Sequence, residues 1–227
     1  MGSAFSFCRP AKAKWQVIVG FGSLLSEVSA RGSFPSLRNF RRGKLRNWKR
    51  VFAHPAAIFF ERGIARMETR EIASLSIEPC EGEEFYVALF EISDNEMPTF
   101  YAREEEFKFV TVSVEEEEKG LFTEAIACAR GTDELFIERW GQDTFHQKYK
   151  KNGIESIWNF EGKILPCRVY LRHCVLAVQK QGNEVLDDFL DHTFLYDRKT
   201  TIRNHLESND GIMKEKPPES LMSRYNG

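Results

Sequence analysis

The chain has 227 residues, of which 42% are hydrophobic and 13% aromatic, and its formal net charge is −2. Length and apolar content support one large domain with a sizeable core, and the near-neutral charge argues against a general binder of polyanions. No apolar run approaches the length of a membrane span, and no secretory signal shows the required order of charge and hydrophobicity.

Five cysteines (8, 80, 128, 167 and 174) are an odd number, scattered, and without any Cys-x-x-Cys. They read as reduced thiols of a cytoplasmic protein. Met1-Gly2-Ser3-Ala4-Phe5-Ser6 fits the N-myristoylation pattern, with Gly2 after the initiator and Ser6 at the permissive position. Cys8 is a candidate for a second acyl chain, and Arg9, Lys12 and Lys14 add basic charge, so residues 1 to 14 are either a peripheral membrane anchor or a plain flexible arm.

Val17-Ile18-Val19 next to Trp15 reads as a short buried strand, ended by Gly20-Phe21-Gly22-Ser23. Gly20 and Gly22 permit backbone angles and close approaches that a Cβ forbids. Past them, the N–H groups of residues 22 to 25 have no strand partner, and a loop of that kind presents donors to an anion or a carbonyl. A plain strand-to-helix turn is the alternative. Residues 26 to 40, rich in Ser, Gly, Pro and Asn, read as an irregular connection. Residues 38 to 50 hold seven basic side chains with Phe40 and Trp48 among them. A nucleic-acid surface uses such a pattern, but without global positive charge a basic, solvated strand face is the better reading, and no nucleic-acid partner is expected.

Residues 51 to 92 carry β-rich runs at 51–53, 57–60, 72–77 and 86–92, punctuated at Gly63, Pro79, Gly82 and Asp94. Neighbouring short strands of this kind suggest an antiparallel or barrel-like sheet. The period then changes. Met97, Phe100, Glu104 and Phe107 fall on one face of a helix, and 108–114 alternates as a strand before a solvated acidic turn at 115–118. Helices are expected from Asp133 to Trp140, from Asp143 to Lys151, over 167–180, through Val185 to Phe194, and from Thr200 or Thr201 to about Ser208. The domain therefore spans 15–208, and 209–227 reads as a disordered polar tail.

The helical stripe places Glu104 on an apolar face, where desolvation and neighbouring like charges raise a carboxyl's pKa into the range useful for acid–base work. Glu105 and Glu106 are expected to face water. Five histidines (54, 146, 173, 192 and 205) show no spacing typical of zinc ligands, and no phosphate-cradling glycine fingerprint is present. His54 reads as structural. No metal or cofactor is expected.

Three stretches in order carry a resemblance. Phe21-Gly22-Ser23-Leu24 resembles the Tyr-Gly-Ser loop of the γ-glutamylcyclotransferase superfamily, and Gly43 to Phe52 resembles the segment that follows it. Phe100-Tyr101-Ala102-Arg103-Glu104 resembles that family's Leu-Asp-x-x-Glu stretch. The resemblance implies an α+β fold, a small twisted mixed sheet or barrel flanked by helices, with a helical C-terminal third. It implies cyclisation of a γ-glutamyl amine or peptide to 5-oxoproline, with Glu104 catalytic and Phe21, Gly22, Ser23, Leu24 and Leu25 binding substrate. Phe21 stands for the tyrosine and Tyr101 for the aspartate. Those departures leave a catalytically silent binding or scaffold protein on the same fold as the alternative.

Overall fold

The structure is a computed structural model and describes residues 14–227. Gly2 and Cys8, the candidate acylation sites, lie outside the described residues. Five strands form the frame: β1 (Trp15–Gly20), β2 (Arg38–Pro55), β3 (Glu71–Ser93), β4 (Lys108–Glu116) and β5 (Phe122–Ala129). β3 pairs with β1 and β2, β4 pairs with β2 and β5, all antiparallel, and a parallel bridge from Ile18 to Ile126 closes β1 on β5. The result is a closed mixed barrel. Two short strands, β6 (Leu165–Pro166) and β7 (Thr193–Leu195), add parallel to β3 and β2.

The chain departs from several sequence-based expectations. The run at 57–60 is not a strand but a short helix, α2 (Ala57–Glu61), directly after Pro55. Its Phe59 packs with Ile64, Val169 and Tyr225, a cluster that only the folded chain assembles. Residues 72–77 and 86–92 belong to one long strand, β3. Pro79 and Gly82 do not end it but fall where its register against β2 slips, and the Gly82 N–H donates to Asn47 Oδ1 at 3.2 Å. Asn47 and Gly82 both take positive φ, 62° and 81°, so the turn-forming residues bend the strands instead of breaking them. The irregular connection contains a helix, α1 (Glu27–Arg31), and β5 occupies a stretch that no periodicity had singled out.

Acidic side chains on neighbouring strands and loops answer the basic stretch of β2. Arg38 pairs with Glu91, Arg41 with Glu116, Arg42 with Glu117, Arg46 with Glu115, and Lys49 with Glu78. Arg50 is fully buried and meets Asp188 at 2.6 Å. Glu116, expected in a solvated turn, is itself buried at the end of β4.

Helices flank the barrel. After α3 (Met97–Arg103), α4 (Asp133–Trp140) and α5 (Gln142–Lys148) come α6 (Arg168–Gln179), α7 (Asn183–Asp191) and α8 (Ile202–Glu207). Phe194, expected at the end of a helix, lies in β7. Thr132, rather than Asp133, caps α4, because the Asp133 carboxylate accepts from the N–H groups of Ile157 and Trp158. Residues 209–227 are not a loose tail: they carry two 3-10 turns, Ile212–Lys214 and Glu219–Leu221, and bury Ile212 and Tyr225. Among the described residues, no helix is long and apolar enough to cross a membrane.

Candidate active site

The loop after β1 is shaped by contact. A Cβ on Gly20 would lie 2.7 Å from the Leu24 carbonyl oxygen and 2.8 Å from Leu24 Cβ, so only glycine lets the chain double back here. The return is a 3-10 turn, Ser23–Leu25, in which the Leu25 N–H donates to the Gly22 carbonyl at 3.0 Å. One of the four donors expected to cradle a ligand is thus used inside the protein. Phe21 and Leu25 are core residues, and of residues 21 to 25 only Ser23 lines the cavity described below.

The 3-10 turn Asp94–Glu96 that leads into helix α3 opens at a reciprocal cap. The Glu96 carboxylate accepts from both the Ser93 N–H and its hydroxyl, at 3.1 and 2.8 Å. Met97 and Phe100 anchor its apolar face, and the helix ends at Arg103. Glu104 leaves helical geometry, and the Phe107 N–H donates to the Glu104 carbonyl at 3.2 Å, which closes a tight turn. Beyond that point, helical spacing no longer says where a side chain points. This is why the expectation for Glu105 and Glu106 fails.

The turn sends three consecutive carboxyls to three environments. Glu104, with its side chain 16% exposed, meets Arg103 Nε at 3.0 Å. Burial pushes its pKa up, against the pull of Arg103 and Arg224. Glu105 is held by Lys148, whose Nζ lies 2.7 and 2.9 Å from its two oxygens. Glu106 is only 6% exposed; its Oε1 accepts from Tyr149 Oη at 2.8 Å and from the Ala57 N–H of α2 at 3.3 Å. Burial and then the Glu105 charge push the Glu106 carboxyl up to about 7.

All three line one cavity of about 620 Å³, a volume typical of small-molecule sites. Ser23 faces it from the loop, Ser74 from β3, and Tyr170 and His173 from α6. It is lined by carboxyls from Glu61, Glu104, Glu105 and Glu106, and by cations from Arg62, Arg103, Lys148 and Arg224. One nitrogen of Arg103, Nη1, is buried without a partner among the described residues, which leaves it free to donate to a ligand. The wall formed by residues 223–227 is tied down where Tyr225 Oη accepts from Arg62 at 2.6 Å and the Gly227 N–H donates to His173 Nδ1 at 2.8 Å. Sequence reasoning missed Glu106, Tyr149 and this wall. No spacing rule links residues 106, 149 and 225.

His54 lies apart from the chemistry, fully buried at the end of β2 and stacked on Trp158 at 4.3 Å between ring centroids. Burial and then Arg130 hold its pKa down at about 3, so it is a neutral core residue. Among the described residues, no group of three His, Cys, Asp or Glu side chains is arranged to hold a metal ion.

No family model matches the sequence, and no curated protein matches it either. Among solved structures, the chain is similar to a gamma-glutamyl cyclotransferase at 14% identity and TM-score 0.43, over 66% of this chain and 94% of that one. It is similar to an uncharacterized Homo sapiens protein at 15% identity and TM-score 0.43, over 66% and 93%. An Arabidopsis thaliana protein solved in solution is similar at 16% identity and TM-score 0.40, over 64% and 95%.

Proposed function

We propose that this chain is an enzyme that cyclises a γ-glutamyl amine or peptide to 5-oxoproline and releases the amine. The observation that carries the reading is Glu104: a largely buried carboxyl with a raised pKa, in one cavity with Ser23 of the loop. The loop and the glutamate are also the two stretches that resemble the γ-glutamylcyclotransferases most directly.

The chemistry asks for three things. The substrate's α-ammonium must lose a proton before its nitrogen can attack the γ-carbonyl, and Glu104 in its ionised form accepts it. The α-carboxylate needs a donor, and Arg103 Nη1 is one without a partner. The glutamyl chain must also curl so that amine and carbonyl meet, which a cavity of this size enforces by orientation. The tetrahedral oxygen that then forms is stabilised by donors on the cavity wall, among them the Ser23 hydroxyl.

The test is release of 5-oxoproline from γ-glutamyl-L-alanine by the purified protein, with Glu104→Gln as the control. Release that depends on Glu104 supports the reading. No release from this or other γ-glutamyl compounds overturns it and favours the second reading, a catalytically silent binding protein. One feature favours that alternative: Phe21 is packed in the core and offers no hydroxyl to the cavity.

A further inference from the structure

Cyclisation moves two protons in opposite senses. The attacking nitrogen enters as an ammonium with three hydrogens and ends in the lactam with one. The leaving nitrogen starts as an amide with one hydrogen and must gain another before the C–N bond can break to give a stable amine. A single carboxyl has to do both jobs in turn. The cavity holds a second carboxyl with a proton to give.

Glu106 lies two residues beyond Glu104, and the tight turn from 104 to 107 brings both side chains to the same cavity. Its Oε1 is fixed by the Tyr149 hydroxyl at 2.8 Å and the Ala57 N–H at 3.3 Å, while among the described residues no other residue donates to Oε2. Among the described residues, no cation is bonded to Glu106, unlike Glu104 with Arg103 and Glu105 with Lys148. Two neighbouring carboxyls in unlike surroundings divide into an acid and a base. Resting on the cyclisation reading, the geometry points to Glu106 as a second catalytic residue, the general acid that protonates the leaving nitrogen while Glu104 serves as the base, with Tyr149 positioning Glu106.

The steps balance. Glu104 takes one proton from the substrate ammonium, and the amine forms the new C–N bond at the γ-carbon. Glu106 gives its proton to the leaving nitrogen as the old C–N bond breaks. The ring nitrogen sheds its second proton to water, and the proton on Glu104 returns to Glu106 through water in the cavity, so both groups regain their starting state. The groups facing Glu106 are Glu104, Glu105 and Tyr149, with the Cys128 thiol on β5 nearby. Burial keeps Glu106 protonated up to near neutral pH, which suits the role.

Leaving-group chemistry tests the assignment. Alanine leaves only as a protonated amine, whereas p-nitroaniline departs without help because its ring spreads the charge. Glu106→Gln is expected to lower kcat for γ-glutamyl-L-alanine by about 10²-fold and to keep γ-glutamyl-p-nitroanilide within about threefold of the parent. Glu104→Gln should depress both. An equal loss on the two compounds, or no loss on either, overturns the assignment and leaves cyclisation standing. A parent inactive on both overturns the cyclisation reading and this assignment with it. Tyr149→Phe provides a second readout, which decides the matter if Glu106→Gln does not fold. The lost hydroxyl stabilised the Glu106 carboxylate, so the acid stays protonated longer and the alkaline limb of kcat/KM should move to higher pH. A limb that stays in place contradicts the assignment.

Discussion

Arg103 and Glu104 are neighbours in sequence and an ion pair in space, Nε to Oε1 at 3.0 Å, because helix α3 ends between them. Burial raises the Glu104 pKa and Arg103 opposes that rise. Arg103→Met removes the opposing charge, so the carboxyl ionises only at higher pH. A base must be ionised to act. The acid limb of the kcat/KM profile should therefore shift to higher pH, and an unmoved limb would assign the base elsewhere.

Two buried carboxyls should pull the pH dependence of stability in opposite directions. Glu116, bonded by Arg41 and Thr123, has its pKa lowered to about 2. Its contribution is present above the ordinary carboxylate range and is lost as pH falls toward 2. Glu106, raised to about 7, is ionised in the unfolded chain before it is in the folded one. It therefore costs stability as pH rises from the ordinary range through 7. Thermal melts across pH should show Glu116→Gln flattening the acid side and Glu106→Gln raising Tm at pH 8. A lower Tm for Glu106→Gln at pH 8 would contradict this.

Arg50 is fully buried between the barrel and α7, and its carboxylate partner among the described residues is Asp188, which also accepts from the Tyr86 N–H at 3.2 Å. Asp188→Ala strands a guanidinium in the interior. Such a break costs about 3–5 kcal/mol, which denaturant unfolding should register. Replacing Arg50 and Asp188 together by apolar residues should cost less than the single change, since no uncompensated charge remains.

The parts of this fold that were legible in the sequence are those set by local pattern. The strand at Val17-Ile18-Val19, the α3 stripe of Met97 and Phe100, the alternation after Lys108 and the Thr201 cap all follow from spacing and side-chain chemistry near each residue. What failed depends on distant partners. Ala57 to Phe60 is helical because Phe59 packs on Val169 and Tyr225. Glu106 is buried because a turn ends the helix and Tyr149, 43 residues on, waits with a hydroxyl. Glu104 was legible since the helix persists almost to it.

Gly20 lets the loop fold back on Leu24, so Gly20→Val should be more harmful than its exposure suggests. The added side chain meets the Leu24 carbonyl at 2.7 Å, and the backbone has to move to relieve it. We expect a loss of about 1–3 kcal/mol of stability together with weaker ligand binding, because Ser23 moves with the loop. A variant that is destabilised yet binds a γ-glutamyl compound normally would separate the loop from the site.

In the proposed cyclisation, Glu104 takes a proton from the substrate ammonium. Glu104→Gln keeps the side chain's size and hydrogen-bonding reach but removes the base. Turnover of γ-glutamyl-L-alanine to 5-oxoproline, measured beside calorimetric binding of a non-cyclising analogue whose γ-carbonyl is replaced by a sulfonyl group, separates loss of the base from loss of binding. We expect kcat to fall by about 10²- to 10⁴-fold with analogue affinity within a few-fold of the parent. Equal losses in turnover and affinity, or undiminished turnover, would contradict it.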